Sequence, residues 1–240
     1  MATLFISDLH LKPETAELAA ILGDLLRGPA AEADALYVLG DLFDAWPGDD
    51  DLADPFNAPV VAGFRDLTRR GVPLRFQHGN RDFLLGDAFA AATGGTLLPE
   101  EVVVDIAGVP TLLLHGDQLC TDDVAYQQFR AQVRNPLWQS QMLAQPLPVR
   151  KALARQLREG SDAAKSGKSM DIMDVNADAV AEAFRRHGVA RMIHGHTHRP
   201  NVHRHLVDGS TRERIVLADW RERGAYLRVD AGGATPVPYG

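Results

Sequence analysis

The 240-residue chain has a single cysteine, Cys120, which excludes an internal disulfide and fits a reducing compartment. The scarcity of thiols also argues against a structural zinc site, and Cys120 itself reads as a small buried filler. No apolar run approaches the ~18 residues that would argue for a transmembrane helix. The opening residues, Met-Ala-Thr-Leu-Phe-Ile-Ser-Asp, carry no basic n-region and no apolar h-region, so no signal peptide is expected. The protein is therefore expected in the cytosol, or on a membrane surface without crossing it. Internal repeats and low-complexity tracts are also lacking.

What is present is an ordinary globular composition, 45% hydrophobic and 24% charged. By length this is one large domain, residues 1–240, or a domain with an insertion. Its core is large enough to need neither metal nor disulfide as a staple. Net charge is −7 but unevenly spread. Between Tyr126 and Lys168 stand eight bases (Arg130, Arg134, Arg150, Lys151, Arg155, Arg158, Lys165, Lys168) and two acids, Glu159 and Asp162, a local excess of +6. Such asymmetry points to a surface for something anionic or to a solvated helical face.

Several short apolar runs read as buried strands, and each ends in polar residues. "TLFIS" runs into "DLH", "ALYVLG" into "DLFD", "VPLRFQH" into "GNRD", "VPTLLL" into "HGD" and "ARMI" into "HGHTH". Helical periodicity fills Thr15 to Leu26 and Pro59 to Arg70. Strand–helix alternation of this kind predicts an α/β fold with parallel strands. "RIVLADW" followed by "GAYLRVD" reads as an antiparallel hairpin closing the sheet. From about 123 to 187 only helical patterns occur, broken by Pro136, Pro146 and Pro148, which predicts a helical insertion. Ligands bind outside the carboxyl ends of strands in open α/β sheets, so the five polar clusters are expected at one rim.

The gathered side chains are Asp8, His10, Asp41, Asn80, His115, His196 and His198. Carboxylate, amide and imidazole donors together suit divalent ions. Seven exceed what one ion with an open position needs, whereas two ions bridged by one carboxylate would use them all. Paired ions are the usual apparatus of phosphoester hydrolysis. "MIHGHTH" carries three of the nine histidines, and imidazole is the commonest metal ligand.

In order, "DLH", "GDLFD", "GNRD", "HGD" and "GHTH" resemble the calcineurin-like metallophosphoesterase superfamily. The resemblance implies an α/β sandwich of mixed sheets flanked by helices. It implies that Asp8, His10 and His198 hold one ion and Asn80, His115 and His196 the other, with Asp41 bridging. His194 falls outside that set, as a packing or supporting histidine. Asp44 and Asp82 would orient ligand histidines or simply cap loops. Many superfamily members carry His after the Asn; this chain has Arg81. Arginine clamps phosphate oxygens rather than donating a proton, which points to a pyrophosphate substrate with a phosphate leaving group.

"GNRDFLLG", "LLPEE", "HGDQLCTDD", "KSMDIMDVN" and "IHGHTHRP" narrow the resemblance, across the whole chain, to the UDP-2,3-diacylglucosamine hydrolases of lipid A biosynthesis. The implied reaction is hydrolysis of an acylated UDP-sugar pyrophosphate to UMP and 2,3-diacylglucosamine 1-phosphate, with two divalent ions, manganese by family habit. Asn80, Arg81 and His196 would be catalytic, and substrate contacts fall on Asn80, Arg81, Asp123, Ser161, Lys165, Lys168 and His196. This chain departs at Lys165, where family members often have Asn. The implied location is the cytoplasmic face of the inner membrane, as a peripheral protein. No nucleic acid and no protein partner is implied, in keeping with a monomer. Leu137, Trp138, Met142, Leu143, Leu147, Val149, Leu153 and Leu157, interleaved with the arginines, suit acyl chains on an anionic headgroup or an interfacial surface; a small helical core is the alternative. Competing readings are a broader metallophosphoesterase on soluble nucleotides, and a non-catalytic module on the same fold, which would be expected to lose ligand residues.

Overall fold

Apolar residues alternate between two buried faces along each central strand, and that alternation builds a four-layer sandwich. The computed structural model describes residues 2–166 and 174–240, with the side chains of 159 and 161–166 outside that description. Strands β1 (Thr3–Ile6), β2 (Ala35–Leu39), β3 (Leu74–Gln77) and β4 (Thr96–Leu97) run parallel. Helices α1 (Ala16–Arg27), α2 (Asn57–Arg69) and α3 (Asp87–Thr93) connect them. Leu4, Ile6, Leu36 and Val38 point towards these helices, where they meet Leu22, Phe64 and Phe89. Phe5 and Leu39 point the other way, towards a second sheet.

That second sheet contains β5 (Glu101–Ile106), β6 (Val109–Leu114), β7 (Arg191–His194), β8 (Asn201–Val207) and β9 (Ser210–Val216) in the order β5-β6-β7-β9-β8. Leu113, Ile193 and Ile215 fill the layer between the sheets. Between β6 and β7 the chain forms α4 (Val124–Val133), α5 (Pro136–Leu143), α6 (Leu147–Ser166) and α7 (Ala177–His187). Val180, Ala183 and Phe184 of α7 pack on Leu112, Leu114 and Met192 and close the outer face of this sheet. Helices α4–α6 lie over the rim where the strands end, and are called the cap below.

The expected C-terminal hairpin is corrected. "RIVLADW" ends β9 in the second sheet, whereas "GAYLRVD" is β10 (Gly224–Asp230) of the first, between β1 and β11 (Gly233–Tyr239). The chain crosses from one sheet to the other between them. The real hairpin partner of β9 is β8, turning at Asp208 and Gly209, both at positive φ (50° and 76°). Positive φ at both central residues is what a two-residue hairpin turn requires, and this Asp-Gly signal precedes "RIVLADW" rather than following it. The rim is likewise shared by two sheets rather than formed by one.

Candidate metal centre and substrate cavity

Each candidate ligand follows the carboxyl end of a parallel strand: Asp8 and His10 after β1, Asp41 after β2, Asn80 after β3, His115 after β6, and His196 and His198 after β7. Three strand ends of the first sheet and two of the second therefore meet across one site. The backbone there is sharply turned. Asp8, His10, Asp41, His196 and His198 all have positive φ, between 47° and 67°. Each such non-glycine residue costs about 1 kcal/mol or more, and strain of this kind gathers at functional sites. The motif glycines have a steric reason: a Cβ on Gly79 would overlap the Asp41 carboxylate, and one on Gly195 the Asp8 carboxylate.

Two clusters share the buried Asp8. Ligand atoms of Asp8, His10 and His198 lie within 4.8 Å of one another, as do those of Asp8, Asp41 and His115. Asn80 Oδ1 lies 3.1 Å from His115 Nε2 and 2.9 Å from His196 Nδ1. Asp41 reaches both sides, with Oδ1 3.7 Å from His115 Nε2 and Oδ2 3.8 Å from His10 Nδ1. All seven residues expected from the sequence are brought together.

The charges and lone pairs fit cations. His115 Nδ1 faces the Leu39 carbonyl at 2.8 Å, which can only accept, so this nitrogen carries the proton. In the neutral ring Nε2 then turns a lone pair towards Asp41, acceptor against acceptor. Asp8 Oδ1 and His10 Nδ1 are buried without a hydrogen-bond partner among the described residues, a costly arrangement unless something positive sits between them. On the protein's own groups, burial pushes Asp41 up to about 7, with His115 opposing and Asp8 and Asp82 adding to the rise. Burial also works to raise Asp8, but the His198 ring, with Nε2 3.3 Å from Oδ1, and the charges of His115 and His10 outweigh it and hold this carboxyl well below the usual range. Burial pushes His10 and His196 down to about 3, leaving their lone pairs available for coordination. The donor set and its buried, unsatisfied acceptors fit divalent ions.

Of the two roles open to Asp82, orienting a histidine or capping a loop, it takes the second: its carboxylate accepts from the backbone N–H groups of Asp41, Leu42 and Gly79, tying the loops after β2 and β3 together. Asp44 pairs with Arg158. The histidine support is Asp219, whose Oδ2 lies 3.3 Å from His198 Nδ1. Burial opposes protonation of His198, but Asp219 and Asp8 raise it to about 9. Asp219 follows the apolar run of β9, so the rule that found the other ligands reaches it too once "RIVLADW" is treated like the earlier strands. His194 is fully buried: Nδ1 donates to the Gly195 carbonyl and Nε2 accepts from Arg214. It supports the loop and is no ligand.

A cavity of about 580 Å³ opens from this site under the cap. Asn80, Arg81, His196 and His198 line its floor, and Phe83, Trp138, Met142 and Leu153 its apolar part. The Arg81 side chain has no hydrogen-bond or salt-bridge partner among the described residues; only its backbone is tied, the N–H donating to Asp41 Oδ1 at 2.8 Å and the carbonyl accepting from the Trp46 N–H at 3.3 Å. Asp123 borders the cavity and caps α4, accepting from the Tyr126 N–H at 3.1 Å. Ser161 and Lys165 belong to α6 but their side chains, like all of Lys168, lie outside the described residues. Of the apolar cap residues, Trp138, Met142, Leu153 and Leu157 face the cavity, whereas Leu137, Leu143 and Val149 are exposed. Burial pushes the Cys120 thiol up to about 12, in keeping with an inert filler.

The basic excess is the largest departure. Arg130 and Arg134 pair with Asp117 and Glu100, Arg150 with Asp50, Lys151 with Asp51 and Asp54, and Arg158 with Asp44. Most of the described bases are spent tethering the cap to acids of the sandwich. Net charge per segment could not reveal this, because the partners lie outside the segment, 13 to 114 residues away in sequence.

Comparison with known proteins agrees with this geometry. The family model for calcineurin-like phosphoesterases matches residues 1–200. A UDP-2,3-diacylglucosamine hydrolase of Enterobacter sp. (strain 638) is 48% identical over 239 residues, 100% of this chain and 99% of that protein. Its namesake in Stenotrophomonas maltophilia (strain K279a) is 50% identical over 240 residues, covering 97% and 96% of the two chains. A dimetal phosphatase from Danio rerio shares the fold at a TM-score of 0.50 and 14% identity, covering 100% of this chain and 99% of that one. The chain belongs to the calcineurin-like phosphoesterases and, within them, to the UDP-2,3-diacylglucosamine hydrolase family.

Proposed function

We propose that this protein hydrolyses the pyrophosphate of UDP-2,3-diacylglucosamine to UMP and 2,3-diacylglucosamine 1-phosphate. The observation that carries the reading is one continuous cavity, polar and strained at the ligand cluster, apolar under the cap. Asp8, His10 and His198 would hold one divalent ion and Asn80, His115 and His196 the other, with Asp41 between; manganese is the ion we expect. Bound there, such ions supply an activated water and charge stabilisation at phosphorus. Arg81, uncommitted to any acceptor among the described residues, clamps phosphate oxygens and favours departure of an anionic phosphate. Asn80, from the same loop as Arg81, and His196, from the loop after β7, would face the same oxygens. Asp123 stands at the cavity wall, and we assign Ser161, Lys165 and Lys168 as further substrate contacts from their positions in the sequence. Trp138, Met142, Leu153 and Leu157 receive acyl chain. A soluble nucleotide would leave that apolar wall unused, which disfavours the broader-specificity reading.

The exposed Leu137, Leu143 and Val149 would rest against lipid, placing the protein peripherally at the cytoplasmic face of the inner membrane. No helix of the described residues is long and apolar enough to span a bilayer. The test is mass spectrometry of products formed from UDP-2,3-diacylglucosamine with added manganese. UMP and the lipid 1-phosphate are expected; turnover of soluble nucleotides alone would overturn the reading.

A further inference from the structure

Helix α4 is stitched to the metal rim along one face. The Tyr126 hydroxyl donates to Asp117 Oδ2 at 2.7 Å, and Arg130 Nε donates to the same oxygen at 2.9 Å. Gln127 Nε2 donates to the Asp117 carbonyl at 2.9 Å. Arg134, just past the helix, donates to the Gly79 carbonyl at 2.9 Å and pairs with Glu100. Residues 126, 130 and 134 fall four apart, so a single helical face makes these contacts. The Tyr126 ring stacks on His196 with centroids 5.9 Å apart. Asp117 is buried and follows His115 by two residues, across Gly116 at φ 115°. Thus the three loops carrying Asn80, His115 and His196 all lean on α4.

The other cluster is held differently. Ser7 Oγ and the His196 N–H donate to Asp8 Oδ2 at 2.6 and 2.9 Å, and Asp219 holds His198. Among the described residues no cap side chain hydrogen-bonds Asp8, His10, His198, Ser7 or Asp219. Supports behind a metal ligand set its orientation, and losing one typically costs ~10–100-fold in metal affinity.

We infer that α4 is the support of one half of the metal centre: through Asp117 and the backbone at Gly79 it positions Asn80, His115 and His196, so that the ion on this side depends on the cap while the ion on Asp8, His10 and His198 does not. The inference rests on the two-ion reading given above. Arg130 is the positioning residue with the cleanest test, since it does not line the cavity.

Titration of the metal-free protein with manganese(II) alone, followed by calorimetry and by electron paramagnetic resonance, reads both ions without substrate. Wild type is expected to bind two, giving the signal of a coupled pair. Arg130→Met should keep one ion at wild-type affinity and weaken the other ~10–100-fold, leaving an uncoupled six-line signal at the same manganese concentration. Arg130→Lys should recover part of the loss. Adding Asn80→Ala to Arg130→Met should remove the already weakened ion and leave the other at wild-type affinity, because both act on the same half; adding His10→Ala should weaken the ion that remained tight. Where Arg130→Met does not fold, Tyr126→Phe keeps the ring on His196, removes one donor to Asp117, and should show the same selective loss on a smaller scale. Two ions in wild type with neither affinity changed, or both lowered equally, overturns the inference alone. A wild type that binds a single ion overturns the two-ion reading and this inference with it.

Discussion

The sandwich and the cap hold themselves together by opposite means. Between and outside the two sheets lie three apolar layers, with Phe5, Leu39 and Ile193 at the centre and Phe64, Phe89 and Phe184 on the flanks, all nearly inaccessible to water. In the cap α5 has no buried residue and α4 only Val133, while Leu137 is 74% exposed. Its attachment is a row of charge pairs to the sandwich. Apolar layers fix ligand positions closely and do not depend on salt. Half-exposed pairs such as Lys151–Asp54 contribute little each, about 0–1 kcal/mol, and are screened, whereas Arg130–Asp117 on α4 is largely buried. The ligand cluster therefore sits on the sandwich and the α4 face clamped to it, and the apolar cavity wall is completed by the more loosely held α5 and α6.

The sharpest way to separate the two regions is to remove Asp41, the bridge proposed above. Asp41→Ala should abolish turnover at saturating manganese, a loss beyond the ~10–100-fold typical of an outer support. Thermal unfolding of the same variant should remain cooperative, because the apolar layers do not include Asp41. Near-normal turnover would contradict a shared ligand between the clusters. Next in size is Arg81→Lys, which keeps the charge but removes the planar fork. A drop of roughly 10–100-fold in kcat/KM is expected, from the ~1.5–3 kcal/mol of a hydrogen bond to a charged group, with manganese affinity unchanged. An equal loss in manganese affinity would mean that Arg81 acts on the ligands instead.

How much was legible in the sequence follows the same division. Strands with both faces buried announce themselves as continuous apolar runs, and a ligand after each run is a local signal. Asp8, Asp41, Asn80, His115 and His196 could all be found that way. β8 was missed because in "NVHRHLV" the half-buried face carries His203 and His205 while Val202 and Leu206 face water, the reverse of the usual alternation. Asp219 was missed because "RIVLADW" was assigned to the wrong sheet, and sheet membership is set by contacts distant in sequence. The cap arginines were visible, but their partners were not. Charge within a segment says nothing about Asp44, Asp50 or Asp117 folding against it.

A third test sharpens the comparison inside the cap. Leu153 and Leu157 line the cavity one turn apart on α6. Replacing both by Asp should lower processing of the diacylated substrate by about tenfold or more, since burying either leucine is worth ~1.5–3 kcal/mol. Slow hydrolysis of a small soluble phosphodiester should be unchanged, because every ligand lies outside the cap. Parallel loss of both activities together with thermal stability would show damaged packing instead of lost acyl contact.

The smallest effect expected is a pH and salt window for cap attachment. The Arg150 hydrogen bond holds Asp50 below its ordinary value of 3.8, and the Phe56 N–H and Lys151 do the same for Asp54. Burial lowers Lys151, but its bonds to Asp51 and Asp54 outweigh this and raise it above 10.5. A depressed carboxyl contributes its stability fully above 3.8 and loses it as pH falls through the folded value. A raised lysine contributes fully below 10.5 and loses it as pH rises through the folded value. Attachment through these pairs is thus complete between the two and fails at either end. Trp138 of α5, 6.0 Å from the Phe83 ring of the sandwich, reports the cap, and its fluorescence is isolated by difference against Trp138→Phe. Its signal should change at both pH extremes before the near-UV circular dichroism of the sandwich does. Lys151→Met should remove most of the alkaline change, and Asp54→Asn should reduce the acid one. At ~1 M salt, where screening acts over ~3 Å, the window should narrow while the sandwich transition stays in place. Cap and sandwich signals that move together at every pH and salt concentration would show that packing, rather than charge, attaches the cap.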